Sequence, residues 1–262
     1  MRRLIKKILR TFANHDPTYY DMYRDPNESL FARLYLDRLL EHCGRALIRP
    51  PAEILDAGCQ TGRLLIPLTK EGYRLTGIDG SAFALKRAAS NMRAEGVKAR
   101  LIRARLPDGL GREHDGRYGV VLCAEVLYLC RDYRAILERL AACVRPGGLL
   151  CISHRPQSYY LMETLKAGKL EQASSVMQQR EGPLLDSDYF NWQTEEELRK
   201  LYARLGFGSI TLYPIDQFAW LGGLDLSALS QAQQGFWLQN ELQARSDGGY
   251  CARYVLVVAA RG

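Results

Sequence analysis

The sequence predicts a doubly wound α/β fold, a seven-stranded, mostly parallel sheet with helices on both faces. Three observations carry this expectation. From residue 53 short aliphatic or β-branched runs alternate with helical patterns, the βαβ signature of a parallel sheet. One of those runs, "GVVLCA" at 119–124, is apolar throughout, as a strand buried on both faces requires. The alternation then resumes between residues 194 and 260.

The elements follow in order. A helix spans about 28–45. "EILD" is the first strand, "RLLIPLTKEG" a helix, and "YRLTGID" the second strand. "SAFALKRAASNMRAEG" is the next helix, capped by Ser81 and ended by Gly96, since a serine oxygen accepts free amide protons and glycine adopts a left-handed stop. "ARLIR" and then "GVVLCA" are strands three and four. "DYRAILERLAACV" places Ile136, Leu137, Leu140, Ala141 and Val144 on one helical face behind a cap at Asp132. "RPGG" at 145–148 stops that helix and "LLCIS" is strand five. "TEEELRKLYARLGF" carries Thr194 and Glu197 at capping-box spacing. "SITLY", a helical pattern over 227–245 and a last strand "YVLVVAA" complete the chain.

A chain of 262 residues with 47% hydrophobic and 25% charged residues buries a substantial core. It reads as one core over 51–262, preceded by a basic helix and helical cap over 1–50 and interrupted by an insertion over about 155–193. No apolar run approaches the roughly 20 residues that cross a bilayer, and no secretory leader pattern opens the chain, so a cytoplasmic location is expected. Seven cysteines without a Cys-x-x-Cys pair read as reduced, mostly buried thiols. Arg2, Arg3, Lys6, Lys7 and Arg10 supply five of the seven net positive charges, which leaves +2 on the rest. There is no basic stripe of the kind a nucleic-acid binder needs. Leu4, Ile5, Ile8, Leu9 and Phe12 share a helical face opposite those basic residues. That pattern suits either a peripheral contact with anionic lipid or a cap docked on the core.

Parallel sheets bind ligands outside the carboxyl ends of their strands. The first strand ends at Asp56 and opens into Gly58-Cys59-Gln60-Thr61-Gly62; the second ends at Asp79, where a carboxylate can accept from two ribose hydroxyls. The loop alone is equally a tight strand-to-helix turn, whereas loop and acid on adjacent strands point to a nucleoside. A nicotinamide site needs glycine in the middle of the loop to admit a pyrophosphate, and here that residue is Gln60.

"LDAGCQTG", "LTGIDGS", "YGVVLCAEVLYL" and "VRPGGLLCIS", in this order, resemble class I S-adenosylmethionine-dependent methyltransferases. The resemblance is clear over roughly residues 50–155 and weaker over 194–213 and 250–260. It implies a Rossmann-like sheet with an antiparallel last strand and S-adenosylmethionine as cofactor. The implied cofactor site comprises Asp56, Gly58, Cys59, Gln60, Thr61, Gly62, Asp79, Gly80, Ser81, Ala104 and Ala124, with Tyr19 and Tyr20 folding across it. Gln60 departs from the family's loop glycine. Arg103-Ala104-Arg105 stands where many relatives place an acid near the adenine, so that contact falls to backbone or Asp108; Gly119 replaces a common aspartate. Quinone-pathway O-methyltransferases of this superfamily carry Glu-x-x-Glu-His after the fourth strand, which can bind a metal. This chain reads Glu125-Val126-Leu127-Tyr128-Leu129, so no metal is expected.

Methyl transfer from a sulfonium requires alignment, exclusion of water and removal of a proton where the acceptor needs it. His154, directly after the fifth strand, is the candidate base and is expected to face the cleft, the alternative being a histidine bonded to a neighbouring loop. Glu125 is the second catalytic candidate, to hold the cofactor's amino group or the acceptor, or else to be satisfied by loop backbone. Tyr159, Tyr160 and Trp192 read as a helical lid that selects the acceptor, or as structural padding. The expected activity is methylation of a small organic acceptor, at oxygen in preference to nitrogen or carbon. A nicotinamide-dependent reductase, a non-catalytic cofactor-binding scaffold and an RNA methyltransferase are the alternatives.

Overall fold

The structure, a computed structural model, describes residues 20–243 and 251–262. The basic pattern over 1–12 and the expected cofactor contact Tyr19 lie outside the described residues. A helix α1 (Pro26–Arg45) opens the fold. Asp25 caps it, its carboxylate accepting from the Asn27 and Glu28 amides at 2.9 and 3.0 Å. Then come β1 (Glu53–Ala57), α2 (Leu65–Lys70), β2 (Arg74–Asp79), α3 (Ala82–Ala94), β3 (Arg100–Arg103), β4 (Tyr118–Cys123), α4 (Tyr133–Cys143) and β5 (Val144–His154).

The central sheet has seven strands in the order β3-β2-β1-β4-β5-β9-β8, where β8 is Phe207–Ile215 and β9 is Tyr254–Arg261. The pairs among the first five are parallel, and β9 runs antiparallel between β5 and β8. The seven strands, the doubly wound order and the reversed last strand agree with the sequence reading. Alternating side chains divide the core between the two faces. Ile54, Val120, Leu149 and Cys151 join α1 and α2 on one, and Leu55, Val121, Leu150 and Ile152 join α4 and α7 (Glu195–Arg204) on the other.

Local signals act largely as expected. Ser81 accepts from the Ala84 amide at 3.2 Å, and Thr194 and Glu197 form the reciprocal capping box at the start of α7. Asp132 occupies its cap position without a side-chain cap bond. The "RPGG" stretch does not separate α4 from β5 as a loop; it forms the start of β5, irregularly paired with β4.

The insertion differs from a purely helical lid. Two helices, α5 (Gln157–Lys166) and α6 (Leu170–Gln178), lead into an antiparallel hairpin of β6 (Glu181–Leu184) and β7 (Ser187–Asn191). The unit hangs from a neck where Pro156 bridges Gln193. After β8 come α8 (Phe218–Gly222) and α9 (Gln231–Gln243). Among the described residues no helix is long and apolar enough to cross a membrane.

Candidate active site

The sheet reverses its winding between β1 and β4, and a cavity of about 260 Å³ opens at the carboxyl ends of β1, β2 and β4. Asp56, Gly58, Cys59, Gln60, Asp79, Ala124 and Glu125 line it, together with Met22, Arg63, Leu64, Val126 and Tyr128. A larger groove of about 620 Å³ lies between Phe218, Leu229, Phe236 and Trp237. Its lining contains no ionisable side chain, so the smaller, polar cavity is the place for chemistry.

The loop after β1 folds back over β2. Gly58 and Cys59 donate their amides to the Ile78 carbonyl at 2.7 and 3.1 Å. Gly58 has φ of 83°, and a Cβ there would stand 2.4 Å from Val126 Cγ2. Gln60 occupies the left-handed region too, at φ 46°, at a cost of about 1–2 kcal/mol for a side-chain-bearing residue. Three bonds hold it and its neighbours. The Gln60 amide donates to Asp79 Oδ2 at 3.0 Å, the Ser81 amide to Asp79 Oδ1 at 2.8 Å, and Gln60 Oε1 accepts from the Thr61 amide at 2.6 Å. Asp79 therefore orders the loop as well as presenting its carboxylate to the cavity.

Glu125 also stands at positive φ, 61°, and such strain persists only where the surroundings over-determine it. Its amide donates to Ser153 Oγ at 2.6 Å and its Oε1 accepts from Arg63 Nη2 at 2.7 Å. Arg63 also pairs with Glu28 from α1. Burial pushes the Glu125 carboxyl up, but the Arg63 charge and hydrogen bond bring it below the usual carboxylate range. Among the described residues Asp56 has no ion-pair partner and only the Leu65 amide as a hydrogen-bond donor. Burial lifts its carboxyl to about 7, with the Arg63 guanidinium pulling down and the Asp79 charge pushing further up.

A family of methyltransferase domains matches residues 27–212. The chain belongs to this methyltransferase family. Ubiquinone biosynthesis O-methyltransferases are among its relatives. The one from Rickettsia conorii is 26% identical over 156 residues, 58% of this chain and 52% of that protein. The one from Vibrio parahaemolyticus is 33% identical over 120 residues, 45% and 51% of the two chains. The chain spans about half the length of the curated relatives it matches. Magnesium protoporphyrin IX methyltransferase from Synechocystis PCC 6803, solved with SAH bound, shares the fold at a TM-score of 0.59. That likeness covers 98% of this chain and 99% of that one at 17% identity.

Several expected site residues do not line the cavity itself. The side chain of Thr61 is buried and accepts from the Tyr23 amide at 3.1 Å, so it anchors the strap before α1. Tyr20 is 53% exposed, its hydroxyl on Glu28 at 3.4 Å; Met22 is the strap residue that reaches the cavity. Gly62, Gly80, Ser81 and Ala104 do not line the cavity; Ser81 caps α3, and the Ala104 amide donates to Asp79 O at 3.1 Å. Tyr128 takes the place where a second metal-ligating carboxylate would stand. Among the described residues no cluster of three His, Cys, Asp or Glu could hold a metal ion.

The expectation that His154 faces the cleft does not hold. Alternation along β5 turns Ser153 toward Glu125 and His154 to the opposite face. There its Nε2 lies 2.8 Å from the Tyr202 hydroxyl of α7, with 1% of the residue exposed. Burial lowers its pKa to about 3, so it is a neutral core residue. The aromatic lid residues are likewise interior. Tyr160 and Trp192 form the insertion's own core with Val176 and Leu184, and the Trp192 indole donates to the Val176 carbonyl at 3.0 Å. Tyr159 belongs to the same cluster, and its hydroxyl accepts from Arg155 Nη1 at 3.1 Å. Sequence reading passed over Arg63 and Arg155. The signal for Arg155 was the same two-residue period that removes His154.

Proposed function

We propose that this protein transfers a methyl group from S-adenosylmethionine to an oxygen of a small organic acceptor. The observation that carries the reading is the charge of the cavity. Asp56, Asp79 and Glu125 line it, and its one basic side chain, Arg63, is already engaged by Glu28 and Glu125. Such a lining repels a pyrophosphate and suits a ligand that carries an ammonium and a sulfonium. S-adenosylmethionine, when bound, supplies an electrophilic methyl group on that sulfonium.

In this reading Asp79 accepts from ribose hydroxyls, and its bonds to the Gln60 and Ser81 amides fix its orientation beforehand. The Gly58–Gly62 backbone and Ala124 bound the nucleoside and amino-acid portions. Glu125, held ionised by Arg63, pairs with the cofactor's ammonium. Met22 and Tyr128 exclude water from the reacting centre. Since His154 is turned away, catalysis rests on alignment, with an acceptor whose hydroxyl ionises readily. Oxygen as the target is supported by the names of the related O-methyltransferases. For residues 1–12 the sequence pattern supports a peripheral contact with anionic lipid on the cytoplasmic side. Deleting them should weaken binding to anionic vesicles and leave cofactor affinity unchanged.

Thermal unfolding with S-adenosylmethionine, S-adenosylhomocysteine and NADH tests the reading, because a ligand specific for the native state raises Tm by mass action. The first two should raise it and NADH should not; the reverse pattern points to a reductase. Isotope-labelled methyl donor with small-molecule and RNA fractions of a lysate then identifies the acceptor. Binding without transfer to either fraction would reduce the protein to a scaffold.

A further inference from the structure

Arg155 is the one residue between β5 and Pro156, at the neck of the insertion. Its guanidinium lies over three tyrosine rings, 4.5 Å from the centroid of Tyr128, 4.5 Å from that of Tyr159 and 5.0 Å from that of Tyr254. Nη1 donates to the Tyr159 hydroxyl at 3.1 Å and Nη2 to the Tyr254 hydroxyl at 3.0 Å. A guanidinium has five N–H donors. Its Nε is buried without a hydrogen-bond partner, and the Tyr160 hydroxyl lies close enough to the guanidinium to feel it without making a well-formed bond.

Two neighbouring arginines have carboxylate partners: Arg63 has Glu28 and Glu125, and Arg253 has Asp216 at 3.3 Å. No carboxylate of the described residues pairs with Arg155. Its partners are phenols, and burial raises Tyr128, Tyr159 and Tyr254 above the usual phenol range in spite of the guanidinium beside them. The phenols around the cation are neutral, and the carboxylates near them, Glu125 beside Tyr254 and Glu163 beside Tyr159, do not pair with the guanidinium itself, so a charge so placed calls for a counter-ion. Tyr128 is shared between cage and cavity, one of its neighbours being the guanidinium and others the lining around Glu125. An acceptor lying against Tyr128 would meet Arg155.

We propose that Arg155 is the recognition group for the acceptor, and that the acceptor is a small organic acid whose carboxylate takes the remaining guanidinium donors. The assignment rests on the methyltransferase reading for the word acceptor, while the anion site itself stands on the cage. A planar carboxylate matches the fork of a guanidinium better than it matches a point charge. The acid would supply the charge that the phenols lack.

Benzoate and benzamide, isosteric apart from charge, are the probes, titrated calorimetrically into the full chain with and without saturating S-adenosylhomocysteine. Benzoate should bind at least tenfold more tightly than benzamide, and Arg155→Gln should reduce that preference below about threefold. Affinity for S-adenosylhomocysteine should stay within about threefold in the variant. Equal binding of the two probes by the unsubstituted protein, absence of benzoate binding, or a preference that survives Arg155→Gln overturns the proposal. Failure of S-adenosylhomocysteine to bind overturns the methyltransferase reading instead, and the probe comparison is still read without it. Should Arg155→Gln not fold, anomalous scattering from 4-bromobenzoate in crystals of the unsubstituted protein decides. A carboxylate against Arg155 supports the proposal and any other position overturns it.

Discussion

Arg63 and Glu125, 62 positions apart, meet at 2.7 Å across the switch point of the sheet, with only 6% and 13% of their side chains exposed. Arg63 follows the loop after β1, Glu125 follows β4, and Glu28 brings α1 to the same guanidinium. A buried pair of this kind adds little net stability over an apolar filling, but loss of one partner leaves buried charge uncompensated. Arg63→Met strands two carboxylates and should destabilise the fold by about 3–5 kcal/mol. Adding Glu125→Gln to that variant should restore part of the loss. Denaturant midpoints measure both, and a double variant as unstable as the single one would show that packing, not charge, is what Arg63 supplies.

Gln60→Gly sets two effects against each other. Glycine removes the strain of a left-handed residue, about 1–2 kcal/mol, and loses the 2.6 Å bond from the Thr61 amide, about 1 kcal/mol. Stability should therefore change by no more than about 1 kcal/mol, and affinity for S-adenosylhomocysteine by less than about tenfold. Calorimetric titration of the variant checks this. A loss of a hundredfold or more would mean that the glutamine side chain itself holds the ligand.

The architecture was legible because it is written in periods and caps. The strand-helix alternation, Ser81, the Thr194–Glu197 box and the paired signals at Gly58–Gly62 and Asp79 are all local. The site was less legible wherever a role depends on which face a side chain takes or on a distant partner. Arg63 is unremarkable until Glu28 and Glu125 arrive from 35 residues before and 62 after. His154 and Arg155 are adjacent, and a single step past the end of β5 leads from a side chain buried against Tyr202 to one lying over the ring of Tyr128, which lines the cavity. The hairpin of β6 and β7 escaped notice because its strands are only four and five residues long. Its side-chain anchor, Asn191 Nδ2 on the Leu127 carbonyl at 2.8 Å, lies far off in sequence.

Asp56 should give the unfolding free energy a pH dependence of its own. Its folded pKa of about 7 lies above the roughly 3.9 of an unfolded chain. The native state thus binds more protons between those values, and stability from this group falls as pH rises from about 4 to about 7 and then levels. Asp56→Asn, neutral at every pH, should match the unsubstituted protein near pH 4 and exceed it by on the order of 3 kcal/mol at pH 7.5. A cation entering the cavity favours the ionised carboxylate, so affinity for S-adenosylmethionine should rise between pH 6 and 8 and be flat over that range in the variant. Parallel stability curves for the two proteins would show that Asp56 is already ionised at low pH.

His154 has the opposite linkage. Buried against Tyr202, it stays neutral down to about pH 3, whereas an unfolded histidine protonates near pH 6.5. Its contribution is complete above pH 6.5 and is lost as pH falls toward 3, at about 1.4 kcal/mol per unit. The unsubstituted protein should therefore lose about 3 kcal/mol from this source between pH 6.5 and 4.5. His154→Gln should be weaker by about 1 kcal/mol at pH 7.5, through the altered bond to Tyr202, yet lack that acid slope, so the two stability curves should cross between pH 5 and 6.5. Turnover with the acceptor identified from lysate should stay within about threefold, since the ring lies on the face of β5 away from the cavity. A hundredfold fall in turnover with an intact fold and unchanged S-adenosylhomocysteine affinity would restore His154 as the base. It would also require β5 to turn its last residue toward the cleft when the acceptor binds.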